Sequence, residues 1–584
     1  MMRKIINDPR RFVDESIDGI LAAHPSALRA ASADRRALVR YDAPRAGKVG
    51  IVTGGGSGHL PVFLGYVGHG LCDGVAVGNV FSSPSAEVIR AATRAVSGGA
   101  GVLYLYGNYG GDIYNFDLAA DLAETEGIPT RTVLATDDVA SASPDQLQTR
   151  RGVAGMVFSF KIAGAAAERG YDLERVAAIA RRVSENVRTM GVGLSPTILP
   201  AAGEPSFELD EGEMEVGIGI HGEPGVHRGA LQTADEIADR LLLSVLDEFS
   251  LEPGSRVSVL VNGLGATPLE ELYLLYRRVQ ATLLGRGLTV VSPLVGNYVT
   301  SLEMAGASIS VLVLDDELAE LLTDPAQSPF FVQGVVTGAA KTSGEAPARS
   351  EIPSKDAGTT GSERVGMEKA DAPPAQLTAL AALLTRVLAR MPAHTDELRD
   401  LDAALGDGDL GITVALGSEA ALRAIQEHPG VSDEALLREV GGAFAGGNPS
   451  TFAALVGGGV LYAASRLNGQ SVLDRATLVR FARDVVHRIQ ERGGASLGDK
   501  TLLDALMPSI DLLAEGASSE STLVLKKMIG LVRSVIDGTA SDRSQRGRAA
   551  WLQERSIGKR DPGMAAYLAF LTELLATITE QDEP

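Results

Sequence analysis

The chain has 584 residues, of which 45% are hydrophobic and 22% charged, and a formal net charge of -21 at pH 7. That length exceeds a single hydrophobic core and predicts several domains, and the apolar content is that of a globular rather than a disordered protein. The negative charge is offset by no basic, aromatic-studded stretch, which excludes nucleic acid as the expected partner and favours small molecules.

The N-terminal MMRKIINDPRRF has basic residues but no apolar core behind it, and no apolar run approaches the ~18 residues of a membrane span, so the reading is cytoplasmic with no membrane partner. Short β-rich runs then alternate with helical stretches: VGIVTGGG, GVLYLYGN, RTVLATDD, RVSVLVNG and ISVLVLDDE against SAEVIRAATRAV and YDLERVAAIARRVSENV. This alternation predicts α/β layers over residues 1–333. Residues 334–375 turn to Gly, Ser, Thr, Ala, Pro and charge, which cannot bury enough surface to order the chain, and read as a flexible linker. Over residues 376–584, QLTALAALLTRVLARM, DEALLREVGGAFA, LVRFARDVVHRIQER and AAYLAFLTELLATIT show helical periodicity with almost no strand candidates, predicting an all-α domain. The single cysteine, Cys72, excludes an internal disulfide and a thiolate metal cluster, and reads as a small buried hydrophobe.

Several motifs punctuate these elements. VTGGGSGHLPVFLG runs a strand into glycines but fits neither a P-loop nor a dinucleotide fingerprint. Gly56, Ser57 and Gly58 would instead bring backbone close to a small polar ligand, with His59 at the end of the turn as either a packed histidine or an acid-base group. LYGNYGGDIYNF sets Asp112 between a strand and a helix, as a functional group or a helix N-cap. GIGIHGEPGVHR places His221 between small residues at the end of an apolar run, accessible or packed on a turn.

In the C-terminal part LDAALGDGDLG crowds Asp402, Asp407 and Asp409 around two glycines, as hard oxygen ligands for Mg²⁺ or as a solvated acidic turn. AGGNPSTFAALVGGG offers Gly447, Ser450 and Thr451 at a helix start, where exposed amides suit phosphate. GDKTLLDALMP and GRAAWLQERSIGKRDPG add Asp499, Lys500, Thr501, Arg548, Asp561, Pro562 and Gly563, each readable alone as a cap or a surface pair.

The order GDGDLG, GDKT, GRAAWLQERS and DPG resembles the nucleotide-binding part of dihydroxyacetone kinases. GGGSGH, GYVGHG, VFSSPS, GNYGGDIYNF and GIGIHGEPG resemble the substrate-binding part of the same family. The resemblance implies an α/β part of two subdomains and a helical-barrel part. It implies Mg²⁺ on Asp402, Asp407 and Asp409, ATP as donor held by the helical-domain residues named above, and His59 with Asp112 as an acid-base pair. It also implies that His221 adds through its imidazole to a ketose carbonyl as a hemiaminal, and that the protein is a homodimer. The chain departs from the family at Leu60 and Phe63, where glutamate and histidine are usual, and at Leu410, where histidine is usual. The apolar change resembles the erythrulose branch, so the expected activity is phosphorylation of a tetrulose, with dihydroxyacetone as the alternative. A ketose-sensing regulator and a dinucleotide-cyclising lyase are the readings from other classes.

Overall fold

The computed structural model describes residues 4–200, 203, 205–335, 377–405, 408–448, 450–515, 521–546 and 556–580. Helix α1 (Phe12–Ala23) precedes the first sheet, whose strands are β1 (Leu28–Ala30), β2 (Ala37–Arg40), β3 (Gly50–Ser57), β4 (Gly74–Val80), β5 (Val102–Gly107) and β6 (Thr130–Ala135). Their order is β1-β2-β4-β3-β5-β6. β4, β3, β5 and β6 run parallel, with β1 and β2 added antiparallel at one edge. The central strands read as unbroken apolar and glycine runs because both faces are covered. Helices α2 (Ala86–Val96) and α3 (Gly110–Thr125) pack on one face, and α4 (Met156–Glu168) and α5 (Leu173–Asn186) on the other. From β3 the chain moves to β4 on one side, and from β5 to β6 on the other. The adjacent carboxyl ends of β3 and β5 therefore flank a topological switch point, where α/β sheets open a crevice.

The second sheet is seven-stranded: β7 (Val187–Ser195), β8 (Glu213–Val216), β9 (His227–Ala230), β10 (Arg256–Gly263), β11 (Thr289–Val290), β12 (Leu294–Gly296) and β13 (Ala305–Leu314). Helices α6 (Ala234–Leu246) and α7 (Leu269–Gly285) cover it through Leu241, Val245, Leu272 and Val279. α6 starts with a full capping box, in which Thr233 and Glu236 satisfy each other's backbone amides. Helix α8 (Asp316–Thr323) and the pair β14 (Ala326–Gln327) and β15 (Val332–Gln333) close this part. The periodicity of the sequence located β3, β5, β6, β10 and β13; the antiparallel edges β1, β2, β8 and β9 carry no comparable apolar run.

Beyond the linker stretch every regular element among the described residues is helical: α9 (Ala379–Leu388), α10 (Thr395–Ala403), α11 (Leu410–Glu427), α12 (Asp433–Gly447), α13 (Thr451–Ala464), α14 (Arg475–Gly493), α15 (Leu502–Glu515), α16 (Ser521–Thr539) and α17 (Pro562–Thr579). The starts of α11, α13 and α17 meet at one end of the bundle, where Leu410 shares an apolar cluster with Phe452, Ala565 and Ala566. A β-carbon on Gly563 would lie 3.6 Å from Phe452 and 3.7 Å from Leu502, which brings the start of α15 to the same end. One expectation is corrected here. α17 is long and apolar enough, by length and composition, to cross a membrane. In the fold it is a bundle wall, with Met564 and Leu571 buried against Val524, Met528 and Val532 of α16.

Candidate active site

Two catalytic candidates leave the switch point of the first sheet. β3 runs into Gly56, Ser57 and Gly58, and the glycines are required by what passes beside them. A β-carbon on Gly56 would come within 2.7 Å of the Ser82 amide nitrogen. Gly58 has φ +98 and sits against the Phe81 ring. The turn delivers His59, whose Nδ1 lies 2.8 Å from the Thr300 carbonyl. A carbonyl only accepts, so Nδ1 carries the proton and Nε2 presents a lone pair, which has no protein partner although it is buried. Burial, reinforced by His221, pushes the His59 pKa down to about 3, so the ring is neutral at ordinary pH.

β5 ends at Gly107 and Tyr109 caps α3, which places Asp112 within the first turn rather than at the N-cap. Its carboxyl is buried, and Oδ1 has no hydrogen-bond partner. Burial raises its pKa to about 7, against the lowering effects of Ser83 and His221. A carboxyl tuned to neutrality inside a crevice is a candidate proton carrier.

His221 comes from the loop after β8 and bridges to the first sheet. Its ring centroid lies 4.8 Å from those of His59 and Tyr109 and 5.4 Å from that of Phe81. Nδ1 sits 2.9 Å from Glu223 Oε1, and the His221 amide donates to Glu223 Oε2 at 3.0 Å. Burial raises the Glu223 pKa, but His221 and Arg151 outweigh it and bring it to about 2, so the carboxylate stays charged. A carboxylate only accepts, so Nδ1 turns an N–H towards Glu223 and Nε2 is the ring nitrogen left to face the crevice. Sequence reasoning missed Glu223, although it lies inside the quoted GIHGEPG. It also missed Tyr109, whose buried hydroxyl has no partner, and Phe81, which stacks on His59 at 4.7 Å. The structure thus brings His59, Asp112 and His221 together, lined by unpartnered polar atoms and two aromatic faces. Of the family departures, Phe63 is buried with its ring edge-on to His59, while Leu60 is partly exposed.

At the helical end, Asp402 Oδ2 accepts the amides of Asp409 and Leu410 at 2.9 and 3.2 Å. Burial, with the Asp402 charge beside it, pushes the Asp409 carboxyl up to about 6. Such a pair is relieved by a hard cation, so the donor set fits Mg²⁺. Among the described residues no cluster of three or more metal-ligating side chains is formed, and Asp407 lies outside them. Ser450 caps α13 through the Ala453 amide, and Asn448 donates to Thr413 at 2.8 Å, tying the end of α12 to the helix that Asp409 begins. Asp561 caps α17 with Pro562 and Gly563 in its first turn, and burial raises its pKa to about 7.

The GDKT turn corrects the expectation for Lys500. Its ammonium is buried and donates to the carbonyls of Ala540, Asp542 and Ser556 at 2.9–3.2 Å. It thereby clamps two loops together rather than facing a phosphate. Asp499 takes the Ser496 amide and Arg546, and Thr501 Oγ1 accepts from Leu503. Arg548 lies outside the described residues. Leu410 fills an apolar cluster with Met391, Leu398 and Ala569, so at this position the side chain packs rather than ligates.

The fold and site define a two-part protein, with an imidazole–carboxyl centre in α/β layers and an acidic helical end where several helix starts gather. The Dak1 domain matches residues 18–330 and the DAK2 domain residues 404–576. The chain belongs to the dihydroxyacetone kinase family, with both domains in one polypeptide. It is 38% identical over 595 residues to the D-erythrulose kinase of Mycolicibacterium smegmatis, covering 100% of both chains. It is 36% identical over 587 residues to the L-erythrulose 1-kinase of that organism, covering 98% of this chain and 99% of the relative. The dihydroxyacetone kinase from C. freundii, solved in complex with AMP-PNP and Mg²⁺, superposes with a TM-score of 0.53 at 26% identity, covering 99% of this chain and 100% of that one.

Proposed function

We propose that this protein is an ATP-dependent kinase that phosphorylates a terminal hydroxyl of a short-chain ketose, with erythrulose as the favoured substrate and dihydroxyacetone as the alternative. The observation that carries the reading is His221. Its Nδ1 is held by an ionised Glu223, and its ring lies edge-on to His59 beside the Asp112 crevice. Full-length similarity to two erythrulose kinases supports the tetrulose, and the C. freundii enzyme supports dihydroxyacetone.

In this reading Nε2 of His221 forms a bond to the ketose carbonyl carbon, the carbonyl π pair moves to oxygen, and that oxygen takes a proton. Glu223 stabilises the cationic ring until the Nδ1 proton leaves. A short ketose offers little apolar surface, so a reversible bond holds and orients it and discriminates against polyols. Asp112, ionised above pH 7, accepts the proton of the terminal hydroxyl as its oxygen attacks the γ-phosphorus of ATP and the bond to ADP breaks. His59, neutral and buried, accepts a hydrogen bond at Nε2 and positions that hydroxyl. Asp402, Asp407 and Asp409 would hold Mg²⁺, which would neutralise phosphate charge. The helix start at Ser450 would offer first-turn amides to the nucleotide phosphates, while at α17 the Met564 amide is already taken by Asp561.

An ADP-release assay over D-erythrulose, L-erythrulose, dihydroxyacetone and glycerol tests this. Turnover of a ketose with glycerol inert is expected. Glycerol turning over at a rate matching the ketoses contradicts carbonyl capture, and ADP release with none of them contradicts the kinase.

A further inference from the structure

The two halves of the chain meet along α3, the helix that carries Asp112 in its first turn. Leu118 of α3 lies against α13 at Gly458, where a β-carbon would sit 3.7 Å from its Cδ1. Beside this apolar contact, Arg492 of α14 pairs with Asp117 at 2.5 Å and with Asp121 at 3.1 Å, and Arg488 pairs with Asp121. The direction is informative. Stepping along α14 from Arg488 to Arg492 leads towards the GDKT turn at Gly498, while its partners step along α3 from Asp121 to Asp117, towards Asp112. From Asp117 to Asp112 is five residues, about 7.5 Å of helix.

We propose that Arg488 and Arg492 are positioning residues for phosphoryl transfer, which grip Asp117 and Asp121 and so hold α3, with Asp112 at its tip, against the nucleotide end of the helical domain. This rests on the ketose-kinase reading above. Partly exposed ion pairs add little to folding. Reactant alignment, by contrast, is sensitive to displacements of an ångström. The four groups touch neither substrate in that reading, so their loss should lower kcat while leaving both KM values nearly unchanged.

The test is charge reversal and its repair in the full chain. Arg488→Glu with Arg492→Glu is expected to lower kcat by about 10- to 100-fold, with the KM for ketose and for ATP changed less than about threefold and cooperative unfolding retained. Adding Asp117→Arg with Asp121→Arg should restore most of the rate. A reversed variant with wild-type kcat, or a loss that the second pair of reversals leaves unrelieved, overturns the proposal. The contact itself is read separately by Leu118→Cys with Gly458→Cys, since Cys72 is buried. A disulfide-linked species, within one chain or between two, is expected on mild oxidation, and failure to cross-link also overturns the proposal. If the wild type phosphorylates no ketose while the cross-link forms, the kinase reading fails and the contact stands.

Discussion

At the scale of single residues, burial sets the chemistry of the crevice. It holds His59 neutral, keeps Asp112 near neutrality, and is overcome at Glu223 only by the His221 and Arg151 beside it. If Asp112 is the proton acceptor, kcat rises with pH through about 7, and Asp112→Asn loses both rate and that limb; a pH profile of kcat for the two proteins checks it. The same shift sets a stability signature. The folded protein keeps a proton on Asp112 that the unfolded chain releases near pH 4, so the contribution of this one group to stability falls as pH rises from about 4 to 7. Asp112→Asn has no charge to bury, so its advantage in thermal unfolding should be small at pH 4 and grow to at most about 4 kcal/mol at pH 8. Glu223→Gln keeps the shape beside His221 but not the charge, and about a 10- to 100-fold fall in turnover is expected, read in the same ADP-release assay.

At the scale of elements, three glycines in α13 divide the packing between neighbours. A β-carbon on Gly457 would meet the Gly441 carbonyl at 2.5 Å and Ala445 at 2.7 Å, whereas one on Gly458 meets only Leu118 at 3.7 Å. Gly457→Ala should therefore cost about 1–3 kcal/mol through overpacking, while Gly458→Ala keeps the roughly 1 kcal/mol by which alanine favours a helix. Melting temperatures of the two variants should fall on opposite sides of the wild type or nearly so. In the sequence the GGG run reads only as part of the apolar helix after the Gly447, Ser450 and Thr451 turn, because periodicity does not show which neighbour each glycine admits. Strands β3, β5, β10 and β13 were legible as apolar runs. His59, Asp112 and His221 stood out because glycine-rich strand exits leave few other polar groups. Lys500 did not read correctly, since GDKT gives no sign that three distant carbonyls will converge on its ammonium. Nor did Glu223, because the value of a carboxylate two residues from a histidine depends on a backbone turn at Gly222 that the sequence does not spell out.

At the scale of the whole molecule, α3 joins the α/β layers that carry His59, Asp112 and His221 to helices α13 and α14 of the helical part. The central claim is that His221 captures the carbonyl covalently, because this converts a weakly bound sugar into an oriented nucleophile. Native intact-mass measurement of the full chain, with D- or L-erythrulose or dihydroxyacetone and with glycerol as control, tests it most directly. An adduct equal to one ketose, absent with glycerol and absent in both His221→Ala and His221→Gln, is the expected result. A His221→Gln protein that phosphorylates the ketose at close to the wild-type rate and still rejects glycerol, or a wild type that turns over without any adduct, contradicts it.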